Sequence, residues 1–387
     1  MQNTQNTSAA MVALLAASCG IVVANTYYSQ PLIGLIGPSV HMGAHEESLI
    51  VSLTQLGYAL GLLLLVPLGD LVENRLLVVV TIATSIPALL LAGFAHSSSV
   101  MLVAGALIGI TSVAVQMLIP MAAHLAPEHR RGRVVGTVTS GLLFGILLAR
   151  PAASIIADVS SWRVVFYVSA GLMAVLAAVL SRALPRRVPV NGQHYGALLV
   201  SVLMLPVKLP VLRQRAAYQA ACFAGFTLFW TGVPLYLAQD FGFTQRGIAI
   251  FGLAGAAGAF AAPIAGSLGD RGYARPGTAI ALASIALAFG IAWFGGHIHS
   301  VVVLAFSGIL LDAGVQTCLV LGQRTIYTMA PDMRSRLNGV FMAMFFMGGA
   351  AGSAVTSTLL LHAGWPGLCA LGGALPLVAL GYFVIAR

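Results

Sequence analysis

Two charged side chains stand in the middle of otherwise apolar runs: Arg150 in GLLFGILLARPAASIIAD and Asp312 in VVVLAFSGILLDAGVQTCLVLG. In a bilayer such groups are costly, about 2.5–3.5 kcal/mol each on insertion scales. Pairing relieves both desolvation costs. A carboxylate in that setting can also take up a proton, and doing so releases its partner. Three outcomes are open: a state-dependent ion pair with Asp312 as the protonation site, a permanent structural pair, or two groups that never meet, one of them contacting a substrate.

Polar and aromatic residues cluster at similar depth in other apolar runs. Asn25 and Tyr28 lie one turn apart with Tyr27 and Gln30 beside them, Gln55 and Tyr58 follow at i, i+3, and Thr111 and Gln116 share a run. Phe226 and Trp230 are spaced i, i+4 with Thr231 adjacent. Asp312, Gln316 and Gln323 fall on one helix face, because steps of four and seven return to the same side. An amide facing lipid would be unpaired, so these groups should point inward, either to a cavity or to another helix. Together they describe an amphiphilic cavity with aromatic faces and little charge, better suited to neutral or weakly cationic organic solutes than to multiply charged anions.

The elements that must position these residues follow from composition. Of 387 residues, 59% are apolar and 7% charged, and the mean hydropathy is +0.96. Soluble domains carry roughly 25% charged residues, so the solvent is lipid. Barrel strands alternate over about ten residues. The apolar runs here are longer and continuous, as in LLVVVTIATSIPALLLAGF, and therefore predict helices. Spans are expected at 9–36, 47–69, 75–95, 99–124, 134–158, 163–184, 216–239, 246–268, 276–296, 299–324, 338–361 and 365–386. The polar opening MQNTQNTSAA lacks a basic region and runs into a span too long for a signal core, so no cleaved leader is expected.

With both termini in the cytoplasm, nearly every Lys and Arg falls on the cytoplasmic side and only Arg163 and Arg246 outside. That bias sets the orientation. It also explains the net charge of +9 by topology, without a nucleic-acid partner. Cys19, Cys222, Cys318 and Cys369 are far apart in apolar stretches, and the histidines are scattered in loops, so no metal or disulfide spacing is present. Residues 185–215 form the one long polar interruption, and their apolar middle, GALLVSVLMLP, is too short to span. The chain is thus read as a bundle over 1–184, a cytoplasmic linker over 185–215 and a second bundle over 216–387. The bundles repeat: VPLGD (66–70) matches GSLGD (266–270), and PEHRRGRVVG (127–136) resembles PDMRSRLNGV (331–340), each pair after the second and fourth span of its half. Parallel six-helix repeats are a transporter architecture.

These residues resemble the major facilitator superfamily over nearly the whole chain, and its twelve-helix drug and sugar efflux branch in particular. The family's Gly-x-Leu-Ala-Asp-Arg-x-Gly-Arg loop is matched in altered form by Leu68, Gly69, Asp70 and Arg75, with Val66 and Leu71 as departures. It is matched more closely by Gly266, Leu268, Gly269, Asp270, Arg271 and Arg275. SWRVVFYV (161–168), YYSQPL (27–32), QLGYALGLLLLVPLGD (55–70) and LLDAGVQ (310–316) carry the rest of the likeness. Two antiporter signatures are altered. Gly105 stands where a fourth-helix arginine is usual, and in the fifth helix Gly141 and Gly145 remain while Ile146, Ala149 and Arg150 depart.

The resemblance implies an all-α membrane protein of twelve transmembrane helices in two pseudo-symmetric six-helix bundles, the major facilitator fold. It implies Asp70 and Asp270 as clamps at helix N-termini, where the dipole favours a carboxylate, with Arg75, Arg271 and Arg275 as partners. The expected function is proton-coupled efflux of a small organic solute across a bacterial inner membrane by alternating access. The rival is a proton symporter or facilitator importing a metabolite. The expected protein is a monomer, needs no cofactor beyond a proton gradient and binds no metal. An ATP-binding Gly-x-x-x-x-Gly-Lys loop is absent. An intramembrane enzyme would need a nucleophile–base pair or metal ligands, and mid-depth positions offer one aspartate and no histidine.

Overall fold

The computed structural model describes residues 8–189, 194–258, 261–329 and 333–386. Residues 190–193 of the linker, Pro331 and Asp332 of the second repeat copy and the side chain of His129 lie outside the described residues. Among the described residues every regular element is helical.

Among the described residues, ten helical segments are long and apolar enough to cross a membrane. They are α2 (Leu49–Asp70), α3 (Asn74–Gly93), α4 (Ser98–Leu125), α5 (Arg131–Val159), α6 (Trp162–Ala183), α7 (Pro210–Asp240), α9 (Ala274–His297), α10 (Val301–Met329), α11 (Arg336–Ala354) and α12 (Thr356–Ile385). Two more apolar segments are helical without meeting that length. The first, α1, covers Ala9–Ala24, and the expected span to residue 36 is interrupted. A turn at Asn25–Ser29 leads into a single helical turn at Gln30–Leu32 and then a short helix, Ile33–Ser39. Pro31 explains the interruption, since it lacks the N–H and its ring clashes with the carbonyl four residues back. The other, α8, is described as Gln245–Gly252, Ala254–Gly258 and Ala261–Asp270. Gly252, a poor helix former, precedes the turn at Leu253, and residues 259–260 lie outside the described residues.

The expected boundary between the last two spans, 361–365, falls inside α12 as a kink, while the helix break lies at Val355 between α11 and α12. Gly364 adopts φ 60°, ψ −166° inside α12, a region reserved for glycine. The linker's apolar middle forms a short helix, Tyr195–Leu203. It packs against α2 and α11, and Tyr195 Oη donates to Leu64 O at 2.8 Å.

Packing repeats between the two sets of six. α1 packs on α5 as α7 packs on α11, α2 on α4 as α8 on α10, and α3 on α6 as α9 on α12. Glycines bring the first two kinds of pair to backbone contact. A Cβ at Gly141 or Gly145 would fall on the carbonyls of Ala16 and Gly20, and one at Gly348 or Gly352 on those of Ala220 and Ala224. A Cβ at Gly57 or Gly109 would likewise fall on Ala106 and Thr54. Between the sets, α2 runs along α11, and α5 meets α8 through Gln245–Gly252.

Candidate functional site

Arg150 and Asp312 face the same seam, from α5 and α10, but the two do not form an ion pair. The indole of Trp230, from α7, stands between them. The Arg150 guanidinium lies 4.5 Å from the Trp230 ring centroid, and Trp230 Nε1 donates to Asp312 Oδ1 at 2.8 Å. The expected direct pair is therefore replaced in this conformation by a cation–π contact and a charge-assisted hydrogen bond in series. The indole suits both roles, with a negative face for the cation and an N–H at its edge for the carboxylate.

Two further rings close around the cation. Tyr27 and Phe226 have centroids 5.3 Å and 5.2 Å from the guanidinium carbon. Arg150 Nε donates to Gln30 Oε1 at 2.8 Å, so the interruption after α1 has a use: it turns Tyr27 and Gln30 toward α5. Arg150 is 5% and Asp312 8% exposed, and Gln30 is fully buried. The α8 glycines form the facing wall, and a Cβ at Gly255 would sit 2.7 Å from Trp230 and 2.8 Å from Asp312 Oδ2. A Cβ at Gly258 would fall on the Asp312 Cβ.

A belt of rings extends the site along the α2–α11 seam. Tyr58 lies 4.0 Å from Phe346 between centroids, and Phe223 stacks on Phe345 at 3.6 Å and on Phe226 at 5.1 Å. Gln116 donates to Tyr58 Oη at 3.4 Å. Gln55 is fully buried, with neither amide atom hydrogen-bonded.

Other expected cavity residues have different work. Asn25 is tied to α6, accepting from Ser169 Oγ. Thr111 bonds to the carbonyls of Leu107 and Ile108 in its own helix. Gln323 donates to Asn338 at 3.1 Å, away from Trp230. Tyr28 is half-buried beside Gly145 and Leu148 on the groove between α1 and α5. Gln316 is half-buried on α10.

One end of the seam is sealed by serines the sequence did not flag. Ser48 N donates to Ser357 Oγ at 3.1 Å and Ser357 N to Ser48 Oγ at 3.2 Å. One turn away Ser52 Oγ and Ser353 Oγ are 2.9 Å apart. Asp158 and Arg246 bridge α5 and α8 at the same end at 3.6 Å.

At the other end the clamp loops find partners other than those expected. Asp70 pairs with Arg336 at the start of α11 at 3.8 Å, while Arg75 turns to Glu73 at 3.5 Å. Asp270 pairs with Arg324. Arg275 lies over Phe383 at 5.6 Å, and Arg271 is exposed. A Cβ at Gly269 would meet Arg324 Cδ at 2.8 Å, which accounts for the glycine, whereas Gly69 has room. The expected Asp–Arg loops thus become one link between helix sets, Asp70–Arg336, and one link within a set, Asp270–Arg324.

Comparison with known proteins decides the family. The model of the Major Facilitator Superfamily matches residues 12–305 and 219–387. The chain belongs to the Major Facilitator Superfamily. It is a multi-pass membrane transporter. It is 40% identical over 375 residues to the uncharacterized transporter YgaY of Escherichia coli O157:H7, covering 96% of this chain and 94% of that one. It is 32% identical over 366 residues to the "Probable transporter SCO4007" of Streptomyces coelicolor, covering 93% and 84%. A "Probable sugar efflux transporter" of Helicobacter pylori is 24% identical over 360 residues, covering 90% and 88%. Among solved structures, the nucleoside transporter NupG superposes with a TM-score of 0.75 at 15% identity, covering 97% of this chain and 99% of that one.

Within this Major Facilitator Superfamily member, sequence reasoning reached Arg150, Trp230, Phe226 and Asp312 but understated Tyr27 and Gln30 and passed over the α8 glycines. The signal for Gln30 was its place immediately before Pro31, where the first helix is interrupted. The signal for the glycines was their spacing of three in FGLAGAAG.

Proposed function

We propose that the chain is a proton-coupled secondary transporter that exports a small organic solute across a bacterial inner membrane by alternating access. In this reading twelve helices form two bundles, 1–184 and 216–387, joined by the linker 185–215, with both termini cytoplasmic. The single observation that supports it is the Arg150–Trp230–Asp312 series, which puts a buried carboxylate of one bundle in contact, through one ring, with a buried cation of the other. Protonating Asp312 removes the charge that strengthens its hydrogen bond from Trp230 and the counter-charge facing Arg150 together. The link between bundles then loosens, and the seam opens at one end or the other.

The likeness to a protein named as a sugar efflux transporter supports export. The altered fourth- and fifth-helix signatures, Gly105 and Ile146–Arg150, favour a second reading, in which solute and proton move together into the cell.

The test is transport in proteoliposomes under an imposed pH gradient. Wild type is expected to accumulate or expel solute against its gradient, and Asp312→Asn is expected to keep only downhill exchange. Gradient-driven transport that survives Asp312→Asn unchanged would falsify the proton role. Counterflow with the gradient reversed separates export from import.

A further inference from the structure

At the Arg150–Gln30 contact two buried donors lack an acceptor. Arg150 Nη2 and Gln30 Nε2 are buried and have no partner. Their orientation is fixed by chemistry. Arg150 Nε can only donate, so the amide oxygen of Gln30 must face it, and the amide nitrogen then points elsewhere. Both free donors flank the one Nε–Oε1 bond, within a few ångströms of each other by covalent geometry. Two adjacent donors without an acceptor beside a buried cation are the complement of a carboxylate, which accepts through two oxygens.

Buried polar groups are nearly always paired, and those that are not call for an explanation. The three rings around the guanidinium satisfy its faces, not its N–H edge. Asp312, the one acidic side chain at this depth, is engaged by the indole N–H on the far side of Trp230.

We propose that the transported solute carries a single carboxylate on an apolar or aromatic body, with the carboxylate held by Arg150 Nη2 and Gln30 Nε2. The body lies along the ring belt of Phe226, Phe223 and Phe346 toward Tyr58. This rests on the second transport reading above, in which solute and proton move together, and narrows it. A doubly charged anion would leave one charge without a counter-ion, and a cation would face Arg150. The inference revises the expectation of a neutral or weakly cationic solute.

A bound carboxylate and an ionised Asp312 compete for one cation. The other titratable groups near Arg150 are Tyr27, and behind it Tyr58 and Cys19; α8 presents glycines to Trp230 and Asp312. The anion therefore binds best when Asp312 carries a proton, so solute and proton travel together. That is the second of the two coupling readings.

The experiment is equilibrium binding to the purified full-length protein of three probes of similar size and different charge: benzoate, benzamide and benzylamine. Benzoate is expected to bind saturably and the other two at least about tenfold more weakly, since the difference is a charged hydrogen-bond pair. Arg150→Gln and, independently, Gln30→Leu are expected to weaken benzoate by about tenfold or more. Gln30→Leu removes no charge, so it tests the site if the arginine variant does not fold. Asp312→Asn is expected to tighten benzoate. Absence of saturable benzoate binding, equal binding of benzamide or benzylamine, or unchanged affinity in Gln30→Leu overturns the proposal. The proton role is read separately, from gradient-driven transport, so either idea can fail alone.

Discussion

Ser52 and Ser353 face each other across the α2–α11 seam with their hydroxyls 2.9 Å apart, and each also reaches a carbonyl one turn back in its own helix, Ser48 O at 3.1 Å and Gly349 O at 2.9 Å. A hydroxyl has one proton, so one serine donates across the seam while the other keeps its own carbonyl. When the helices part, both return to their carbonyls and no buried donor is orphaned. The seal is therefore specific in register but inexpensive to open.

Replacing Ser52 and Ser353 together by cysteine is expected to give a disulfide that holds this end shut. Solute transport should fall to background under oxidation and recover on reduction, while either single cysteine variant transports normally. Mass spectrometry of the cross-linked peptide checks the pairing. Efficient transport by the fully cross-linked protein would contradict a role for this end in access.

At the opposite end the link is ionic and half-exposed. Asp70→Asn or Arg336→Ala should change thermal stability by less than about 1 kcal/mol, because solvent screens such pairs. The expected effect is on the balance of states. The single variants should raise the labelling of a cysteine introduced at Ser267, on α8 at this end, and the swap of Asp70→Arg with Arg336→Asp should restore it. Equal labelling in all variants would show that the pair does not bias opening.

The glycine contacts inside each set predict large effects from one methyl group. Gly109→Ala would drive a Cβ onto Thr54 O, and Gly352→Ala onto Ala224 O. Overpacking of this kind costs about 1–3 kcal/mol. Thermal unfolding in detergent should drop clearly for both, and hardly at all for Gly171→Ala or Gly381→Ala, where the added atom meets nothing within 4 Å.

Glu47, just before α2, is half-buried, and burial pushes its carboxyl above the usual carboxylate range. A folded-state value above the unfolded one means the ionised form is disfavoured in the native protein. The penalty is absent below the unfolded value, about 4.3, and grows as pH rises past it. Glu47→Gln should therefore melt higher than wild type at neutral pH, with the two curves converging in acid. A gap that stays constant with pH would show that the acid's ionisation is not what matters there.

The sequence exposed the site because charge is rare in apolar runs. Arg150 and Asp312 stood out for that reason, and Trp230 because an aromatic pair at i, i+4 marks one face. What was not legible was relative placement. Nothing in the spacing says that an indole would come between Arg150 and Asp312, since that depends on three helices meeting. The break after Ala24 was written in Pro31 but masked by the apolar run on both sides of it. The serines were invisible for a different reason: Ser48, Ser52, Ser353 and Ser357 are individually ordinary, and only the crossing of α2 and α11 makes them a set. The partners of Asp70 and Asp270 were misassigned because nearby arginines in the chain are not the ones the packing delivers.

The backbone contacts at Gly141, Gly145, Gly348 and Gly352 have an electrical consequence. Helices joined that closely cannot bend independently, so in the alternating access proposed above each set would turn as one stiff lever about 30 Å tall, the thickness of the membrane core. A stiff lever that swings apart at one end must swing together at the other. In that proposed cycle water would reach the buried charges from one face at a time, without a continuous wire across the membrane. In the proton-coupled cycle proposed above, a flexible bundle with the same charges would leak protons. The glycines, which touch neither solute nor proton, are in this sense the insulation of the machine.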